Sequence, residues 1–488
     1  MRTALALVAA ATVAACGDDG GNTTRDAAVD AKSFDAPPDA DLDIGGSWVD
    51  RYISASGTAA VSNCQVAPTG VVIDPATAAT TPYAGACKAD GTFRIIAPAS
   101  LGAYFLRLGT SFYETTKRTG LDLSTDHLGR SDIGPIAGVT LNINMLGMDP
   151  WAAGDAVYAF SSNIGFSQPI TFTTGAPNNG DTALNSVTAS WNGYKIDSGK
   201  LDTLMLMQIG VHTTAGGLGY TSLDRAFGVP PFTMANNTAT AINGVFSAPT
   251  AASLQLRIDS ASFNQFATVV NPNVTNKTID GSLFATVSTD AKAPPPLLAF
   301  SVPTTGVASL DFGTLSYGDP FATQWQRLMR VQAVFSVPYT YAGISGSRSA
   351  TMTRVVTRAT AAAGIIDAVL GPPTAPTIDN VDAFSATTST TVPKLTWSPP
   401  ALGTPTDYEV QAYEVTINGS TLKFTSVLKL TTKQTSVRIP EGLLLGQRQY
   451  IFSIASRIRQ GVDIYATPLQ AGDTSSSAET LTALVTTN

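Results

Sequence analysis

The sequence predicts an all-β fold, organised as tandem antiparallel β-sandwich domains that follow a disordered tether. Helical periodicity is scarce, and short runs of Val, Ile, Thr, Phe and Tyr alternate with polar residues. Gly, Pro, Asn and Asp separate these runs, as around residues 140–144, 253–258, 283–287 and 331–335. Many short strands with this spacing are typical of sandwiches or barrels. Hydrophobic residues make up 44% of the chain, which is enough to build packed cores.

The overall composition limits the size and the partners of the protein. A chain of 488 residues has room for about two to four domains. It carries 29 Lys and Arg against 36 Asp and Glu, which gives a net charge of −7. A nucleic-acid-binding surface needs a basic face, so we expect no nucleic-acid partner.

Residues 1–15 have the features of a signal peptide. Arg2 precedes an apolar run, residues 4–15, that is too short to span a bilayer as a permanent helix. The run ends in the tetrapeptide VAAC at residues 13–16, which resembles the bacterial lipobox. This resemblance implies that the Cys16 thiol carries a diacylglycerol and becomes the first residue after cleavage. The alternative is an ordinary signal peptide followed by an incidental cysteine.

Residues 16–44 predict a disordered tether behind the lipidated cysteine. The dipeptide Asp-Ala recurs in this segment and large apolar residues are almost absent, so little can offset the entropy of ordering. Asp39, Asp41, Asp43 and Asp50 have the spacing of part of a calcium loop. However, Ile44 stands where an EF-hand needs glycine, so we expect a solvated spacer and no calcium site.

Residues 45–125 are expected to form a small Greek-key sandwich. Residues 90–95 predict a turn that leads into an alternating strand, and residues 102–108 predict a second strand. This pair resembles the carboxypeptidase regulatory-like, or transthyretin-like, module, which has a D-G-x-F turn and a G-x-Y strand. The resemblance implies a structural unit without catalytic residues.

Cys64 and Cys87 lie within this small module. An exported protein meets an oxidising compartment, and these two cysteines remain as a pair once Cys16 is lipidated. We therefore predict a disulfide between them; the alternatives are two buried thiols or half of a metal site. No histidine lies near them in sequence to complete a zinc site, and we expect neither a metal nor another cofactor.

Residues 130–370 are all-β by pattern and resemble no family that we recognise. No fixed repeat of 20–50 residues is present, which argues against a propeller or a solenoid. The region has room for one large sandwich or for two smaller ones divided near residues 248–250. Two short helices are predicted, over 319–328, where Asp319 would cap and Pro320 would fill the first helical position, and over 361–370.

The C-terminal region has the most readable pattern. Residues 371–376, with the sequence GPPTAP, predict a linker stiffened by proline. Residues 377–486 then resemble a fibronectin type III domain, through Trp397 on an early strand, Tyr408 on the next strand, and the spacing of Tyr450 from a preceding leucine. This sequence departs from the family pattern at Gly446, which comes one place early. The resemblance implies a sandwich that spaces or binds and that carries no chemistry of its own.

Few residues are available for catalysis. The chain has two histidines, His127 in a polar junction and His212 at the end of an alternating strand, and a Ser-His-Asp triad would need one of them as its base. Neither lies in a close-spaced metal-ligand set, and no G-x-S-x-G elbow or phosphate-binding glycine loop is present. We therefore name no catalytic residue.

Carboxylate pairs and aromatic side chains leave two alternatives open in residues 130–370. Two acids at a fixed separation can hydrolyse glycosides, although scattered acids are usually turn residues. Three tryptophans could line a sugar-binding surface, although core positions are expected more often. The Met205 and Met207 pair has a period of two and predicts a core face. The scattered acids are Asp155, Asp181, Asp197, Asp202 and Asp224, and the tryptophans are Trp151, Trp191 and Trp325.

We expect a lipid-anchored, extracytoplasmic protein of the bacterial cell envelope, at the outer membrane or the cell surface. Its expected role is non-catalytic binding, adhesion or scaffolding, with the membrane as one partner and an extracellular protein or polysaccharide as another. Two alternatives remain: a secreted-type hydrolase with its catalytic domain in 130–370, and a purely structural spacer. Two close carboxylates in one pocket, or His212 beside a serine and an aspartate, would favour the hydrolase.

Overall fold

The computed structural model describes residues 43–54, 57–288, 291, 295–472 and 474–488. The predictions for the signal peptide, for Cys16 and for most of the tether, including Asp39 and Asp41, lie outside these residues. The described chain is all-β and forms tandem sandwiches, as the sequence predicts. No helix among the described residues is long and apolar enough to cross a membrane.

The N-terminal region, residues 43–128, contains three small groups of strands. One sheet has the order β10-β1-β7-β6, a second has the order β11-β2-β3, and the remaining four strands pair in the order β5-β4-β8-β9. Ile44, Ile95 and Leu106 are fully buried in the core of this region. The strands are β1 (Asp43–Ser47), β2 (Val49–Ser54), β3 (Gly57–Ser62), β4 (Thr69–Ile73), β5 (Thr80–Tyr83), β6 (Gly85–Cys87), β7 (Thr92–Ile96), β8 (Tyr104–Leu108), β9 (Ser111–Thr115), β10 (Leu121–Asp122) and β11 (Thr125–Leu128).

The predicted disulfide between Cys64 and Cys87 is confirmed. Their Cα atoms lie 5.9 Å apart, within the usual range for such a bond. Cys64 is buried in the N-terminal core, and Cys87 packs against the same core at the end of β6. The bond ties β6 to the loop that precedes β4.

In residues 130–249, one four-stranded sheet packs against part of a larger sheet. The order of the smaller sheet is β15-β16-β12-β19. Leu141, Ile143, Val187 and Ile242 are fully buried between the two layers. The strands are β12 (Val139–Leu146), β13 (Ala156–Ser161), β14 (Phe166–Pro169), β15 (Phe172–Thr174), β16 (Ala183–Trp191), β17 (Leu204–Thr213), β18 (Gly219–Val229) and β19 (Ala239–Val245), with a single 3-10 turn at Ser198–Lys200.

Residues 250–370 form a second layer pair with a separate hydrophobic core. A sheet of order β23-β20-β26 and three short helices cover the other face of the larger sheet. The helices are Ser260–Asn264, Ala267–Val270 and Arg358–Ala363. The strands are β20 (Thr250–Ile258), β21 (Asn276–Thr286), β22 (Leu298–Pro303), β23 (Leu310–Asp319), β24 (Gln326–Tyr341), β25 (Ile344–Thr357) and β26 (Ile365–Ile366).

Both helix predictions in this region need correction. No helix forms over 319–328: Asp319 ends β23, and its carboxylate binds Arg327 at 2.8 Å instead of capping a helix. The second helix spans Arg358–Ala363 and is capped by Thr357, and β26 follows where the prediction continued to residue 370. In both places pairing with neighbouring strands overrides the local propensity.

The first part of strand β17, residues 204–210, is buried on both faces. Leu204 and Leu206 belong to the core of residues 130–249, whereas Met207 and Ile209 belong to the core of residues 250–370, and Met205 packs against that second core. This explains the long apolar run of β17, since a central strand between two cores lacks a solvent face. The prediction of a core face for the two methionines is confirmed.

The C-terminal region is a two-layer sandwich. One sheet has the order β28-β27-β30-β33, and the opposite layer contains β29, β36, β34, β31 and β32. Trp397 lies in the core at 5.3 Å from the ring of Tyr408. The strands are β27 (Thr374–Ile378), β28 (Val381–Asp382), β29 (Thr388–Ser389), β30 (Lys394–Ser398), β31 (Asp407–Asn418), β32 (Thr421–Thr432), β33 (Ser436–Arg438), β34 (Gln449–Arg459), β35 (Ser475–Leu481) and β36 (Val485–Thr487).

The corner before β34 contains a hydrogen bond between the backbone and the hydroxyl of Tyr450, the residue whose spacing carried the resemblance. The backbone N–H of Leu445 donates to the hydroxyl of Tyr450 at 3.0 Å, and Tyr450 is buried. The left-handed backbone position of this turn falls on Gln447, with φ of 58°, and not on Gly446. The early glycine therefore leaves a side chain at the position that glycine usually occupies.

The first half of residues 371–376, the predicted proline-stiffened linker, packs against the C-terminal sandwich. Gly371, Pro372 and Pro373 are buried, and the next residue begins β27. Ser456 donates a hydrogen bond to the carbonyl of Gly371 at 2.5 Å, and Thr480 donates to that of Pro373 at 2.8 Å. Proline lacks only the donor, so its carbonyl remains free to accept these bonds.

One continuous sheet of 18 strands passes through all four regions. Its main path has the order β5-β4-β8-β9-β32-β31-β34-β35-β25-β24-β21-β22-β18-β17-β13-β14. The N-terminal region joins it through parallel pairing of β9 with β32, where Phe112 lies opposite Leu430. The regions therefore share backbone hydrogen bonds as well as side-chain contacts.

Candidate functional site

A cavity of about 540 Å³ lies where the two layer pairs of residues 130–370 meet. Strands β17 and β18 form one wall, and β20 and β23 form the other. Boundaries between layer pairs are common places for ligand sites. The polar lining residues are Asp149, His212, Tyr220, Ser222, Asp224, Arg225, Ser253, Ser316 and Tyr317.

The β17–β18 hairpin brings three of these residues together. His212 pairs with Tyr220 and Gly210 pairs with Ser222, so their side-chain positions share one face of the sheet. The register then shifts between Gln208 and Ile209. Asp224 is left without a partner on β17 by this bulge, which turns its carboxylate back toward His212.

Gly210 makes the contact between Asp224 and His212 possible. A Cβ atom added at Gly210 would collide with the carboxylate of Asp224 and would also lie 3.2 Å from Nε2 of His212. Any larger residue at this position would therefore displace the carboxylate. This is a packing role for glycine, and its backbone angle plays no part.

Asp224 lies between the histidine and the serine. Nε2 of His212 lies 3.0 Å from both carboxylate oxygens, and the hydroxyl of Ser222 donates to Oδ1 at 2.8 Å. In a catalytic triad the histidine lies in the middle and accepts the proton of the serine. Here the serine proton is bound to the aspartate, so these three residues do not form that relay.

The charges around the cavity favour a protonated histidine. The hydrogen bond with Asp224 raises the pKa of His212; burial opposes this, and the fields of Asp224, Asp155 and Asp149 add to it. Arg225 forms an ion pair with Asp149 at 2.6 Å. The cavity wall therefore presents two carboxylates, Asp149 next to a guanidinium and Asp224 next to an imidazole.

Tyr317 contributes an unsatisfied polar group. Its side chain is 4% exposed, and its hydroxyl has no hydrogen-bond partner among the described residues. A buried hydroxyl without a partner costs free energy, which a bound ligand can remove. Tyr220 lies beside His212, with the two ring centres 5.2 Å apart, and adds an aromatic face.

The sequence pointed to His212 and Asp224 but missed Ser222, Tyr220, Arg225 and Asp149. The glycines at 216–217 between the two strands were a usable signal, because a tight turn there sets Tyr220 opposite His212. The bulge at Asp224 depends on tertiary packing, and so does the position of Asp149 beside the cavity. No local sequence pattern indicates either feature.

His127 lies in a different place, on β11. Its ring stacks on Tyr52 with 5.0 Å between the centres, and Nε2 lies 3.3 Å from the carboxylate of Asp50 and 3.1 Å from the hydroxyl of Thr125. Asp50 also accepts hydrogen bonds from Thr125 and Asn63. The histidine thus holds β11 against β2, in a structural position.

The other candidate acids do not converge on one site. Asp155 accepts from the backbone N–H groups of Ala152 and Val211, Asp181 from that of Asn178, and Asp197 from that of Gly199. The bonds from Ala152, Asn178 and Gly199 are the local turn roles that the sequence suggested, whereas the bond from Val211 joins Asp155 to β17. Asp202 is fully buried and accepts a two-pronged ion pair from Arg130, at 3.0 and 2.9 Å.

The three tryptophans also lie apart. Trp191 is buried in the core of residues 130–249 and its ring N–H donates to the carbonyl of Tyr194 at 3.0 Å. Trp151 packs against the same core, and Trp325 packs against the other core, stacked on Phe321. Within the described ranges, no three His, Cys, Asp or Glu side chains are placed to hold a metal ion. Asp43, from the calcium-like pattern, pairs with Arg94 at 2.8 Å.

Comparison with known proteins gives little to add to this geometry. No known protein family matches the sequence, and no curated protein matches it either. Among solved structures, the FN1–FN3 domains of chicken CNTN1 are 8% identical, with a TM-score of 0.14, over 73% of this chain and 98% of that one. The native conformation of E. coli alpha-2-macroglobulin is 11% identical, with a TM-score of 0.13, over 88% of this chain but only 27% of the other.

Proposed function

We propose that this chain is a lipid-anchored, extracytoplasmic binding protein, and that its ligand occupies the cavity between β18 and β23. One observation carries this proposal: Asp224 lies between His212 and Ser222, so the polar groups of the cavity bind one another in an order that suits ligand binding and not proton relay. Tandem sandwiches on a tether suit a scaffold that holds such a site away from a membrane.

The lining of the cavity fits a neutral, hydroxyl-rich ligand, such as a segment of an envelope polysaccharide. The carboxylates of Asp149 and Asp224 can accept hydrogen bonds from ligand hydroxyls, and Arg225 and Tyr317 can donate them. The ring of Tyr220 offers an apolar face for a sugar ring. Asp149 is paired with Arg225, and Asp224 is hydrogen-bonded to His212 and Ser222, so neither acid needs a cationic ligand.

Affinity electrophoresis with soluble neutral polysaccharides tests this binding role. We expect the full chain to be retarded by at least one of them, and we expect Tyr220→Ala to lose about tenfold or more in affinity. Tyr194→Ala is the matched control, since Tyr194 is 40% exposed and is not part of the cavity lining. Equal losses in both variants, or no retardation of the wild type by any polymer, would contradict the proposal.

The membrane anchor is tested separately at Cys16. Expressed in a bacterium that processes lipoproteins, the wild type should partition into detergent, because several acyl chains on one residue bind a bilayer stably. Cys16→Ser should release the protein into the aqueous phase. A variant that stays in the detergent phase would show that the attachment lies elsewhere.

The hydrolase alternative keeps one observation in its favour, since His212, Asp224 and Ser222 do meet in a single cavity. Assays with ester and glycoside substrates distinguish it from simple binding. The binding proposal expects no turnover that depends on Ser222, Asp149 or Asp224. Activity that disappears in Ser222→Ala would favour hydrolysis by an unusual relay, and activity that disappears in Asp149→Asn would favour a carboxylate pair.

A further inference from the structure

A second cavity, of about 260 Å³, lies where the N-terminal region meets the C-terminal sandwich. Tyr113 on β9 forms one side of it, and Lys429 on β32 with Arg457 and Arg459 on β34 form another. Gln470 and the three serines Ser475, Ser476 and Ser477 add uncharged polar groups to the wall. Three cationic side chains therefore line one small space.

Two buried carboxylates compensate these three cations only in part. Asp407 is fully buried and binds both arginines, at 2.7 Å from Nε of Arg457 and 3.0 Å from Nε of Arg459. Glu409 binds Arg457 and also accepts from Lys429 at 2.9 Å. Within this group of five side chains, three positive charges face two negative ones.

Arg459 is the cation of this group whose hydrogen bonds are left incomplete. Its side chain is 7% exposed; Nη1 donates to the carbonyls of Pro468 and Gln470, at 2.8 and 3.0 Å. Nη2 is buried and has no hydrogen-bond partner among the described residues. Burial, together with repulsion from Arg457, lowers the pKa of Arg459, although a guanidinium keeps its proton; an added negative charge beside it would therefore be stabilising.

We propose that this cavity binds a small oxyanion, a free phosphate, sulfate or carboxylate, held by Arg459, Arg457 and Lys429. Guanidinium groups bind such anions through strong, charge-assisted hydrogen bonds, and hydroxyl and amide groups like those of Ser476 and Gln470 can add neutral ones. The volume suits a small anion and not a folded segment of polymer. The anion would also bridge the N-terminal region and the C-terminal sandwich, since both contribute to the wall.

Isothermal titration calorimetry on the full chain tests this site, with inorganic phosphate, sulfate and acetate as probes. Ionic strength is held constant with sodium chloride, so that non-specific screening cancels. We expect saturable binding of at least one probe at one site per chain. If all three bind more weakly than about 10 mM, the proposal is overturned.

Variants locate the site on this cavity. Lys429→Gln should weaken binding about tenfold by removing one charge-assisted contact, and it should still fold because Lys429 is half-exposed. Lys423→Gln is the matched control on the same strand, since Lys423 is exposed and does not line the cavity. Equal weakening in both variants would assign the effect to net charge and overturn the proposal.

Asp473→Asn tests a competing occupant within the chain. Asp473 lies outside the described residues and is close in sequence to Gln470 and Ser476. If the wild type fails to bind and Asp473→Asn binds, the chain's own carboxylate fills the cavity, and the proposal of an external anion is wrong. Comparable binding by both proteins supports an external anion.

Discussion

The protein joins its regions in two different ways. At the N/C seam, where β9 pairs with β32, Phe112 is buried and the carboxylate of Glu114 accepts from the Thr432 hydroxyl and the Lys433 N–H, at 2.6 and 2.8 Å. At the middle seam, the boundary that holds the larger cavity, the side chains of His212 and Asp149 remain 37% and 40% exposed.

The difference teaches how the burial of a polar group decides whether its partners come from the protein or from outside it. Polar groups at the N/C seam have lost their water and must find partners within the protein. His212 and Asp149 at the middle seam keep contact with solvent, so they can exchange water for a ligand at little cost. Similar residues thus mainly stabilise the fold at the N/C seam, where Arg459, among the described residues, keeps an unpartnered group for the proposed anion, and form a solvent-facing site at the middle seam.

The largest test of this comparison replaces one arginine at each seam. Arg457→Met should lower the free energy of unfolding by about 3–5 kcal/mol, because it leaves the buried Asp407 and Glu409 short of a counter-charge. Arg225→Met, whose partner Asp149 is exposed, should cost about 1 kcal/mol or less. Urea unfolding followed by tryptophan fluorescence measures both. Similar losses at the two seams would remove the distinction.

A second pair of substitutions compares the free energies lost when hydrogen bonds are removed at the two seams. Glu114→Ala leaves the Lys433 N–H and the Thr432 hydroxyl without their acceptor and should cost about 1–3 kcal/mol. Ser222→Ala removes one of the donors to Asp224 while His212 keeps its bond, and should cost about 1 kcal/mol. The same unfolding assay applies, and a larger loss for Ser222→Ala would reverse the assignment of the two seams.

The smallest effect is a pH dependence at the middle seam. Since Asp224 raises the pKa of His212 above the ordinary 6.5, the pair contributes stability that is fully present below that value and is lost as pH rises through the folded-state pKa. Solvent screening keeps this contribution below about 1 kcal/mol. NMR titration in a His127→Gln background isolates the His212 signal, and Asp224→Asn should move its midpoint down. An unchanged midpoint would contradict the pairing.

The sequence predicted the C-terminal region better than residues 130–370 for a physical reason. Trp397 and Tyr450 contact residues that are close to them in the chain: Trp397 packs on Tyr408, and Tyr450 bonds to Leu445. The spacing of these residues along the sequence therefore reflects their contacts. The positions of the polar residues on the β17–β18 hairpin instead depend on a strand bulge and on the ion pair of Arg225 with Asp149, which lies in a distant loop. A bulge shifts every later side chain to the other face, and no local pattern marks it.

By itself, the sequence determined that the chain is all-β and that Cys64 pairs with Cys87, because alternation, turn residues and cysteine number are local or countable properties. Only the tertiary structure decided that one sheet runs through every region, that residues 371–373 are buried, and that Asp224 lies between His212 and Ser222. Such features arise from contacts between residues far apart in the chain, whose free energies appear only once the strands have paired.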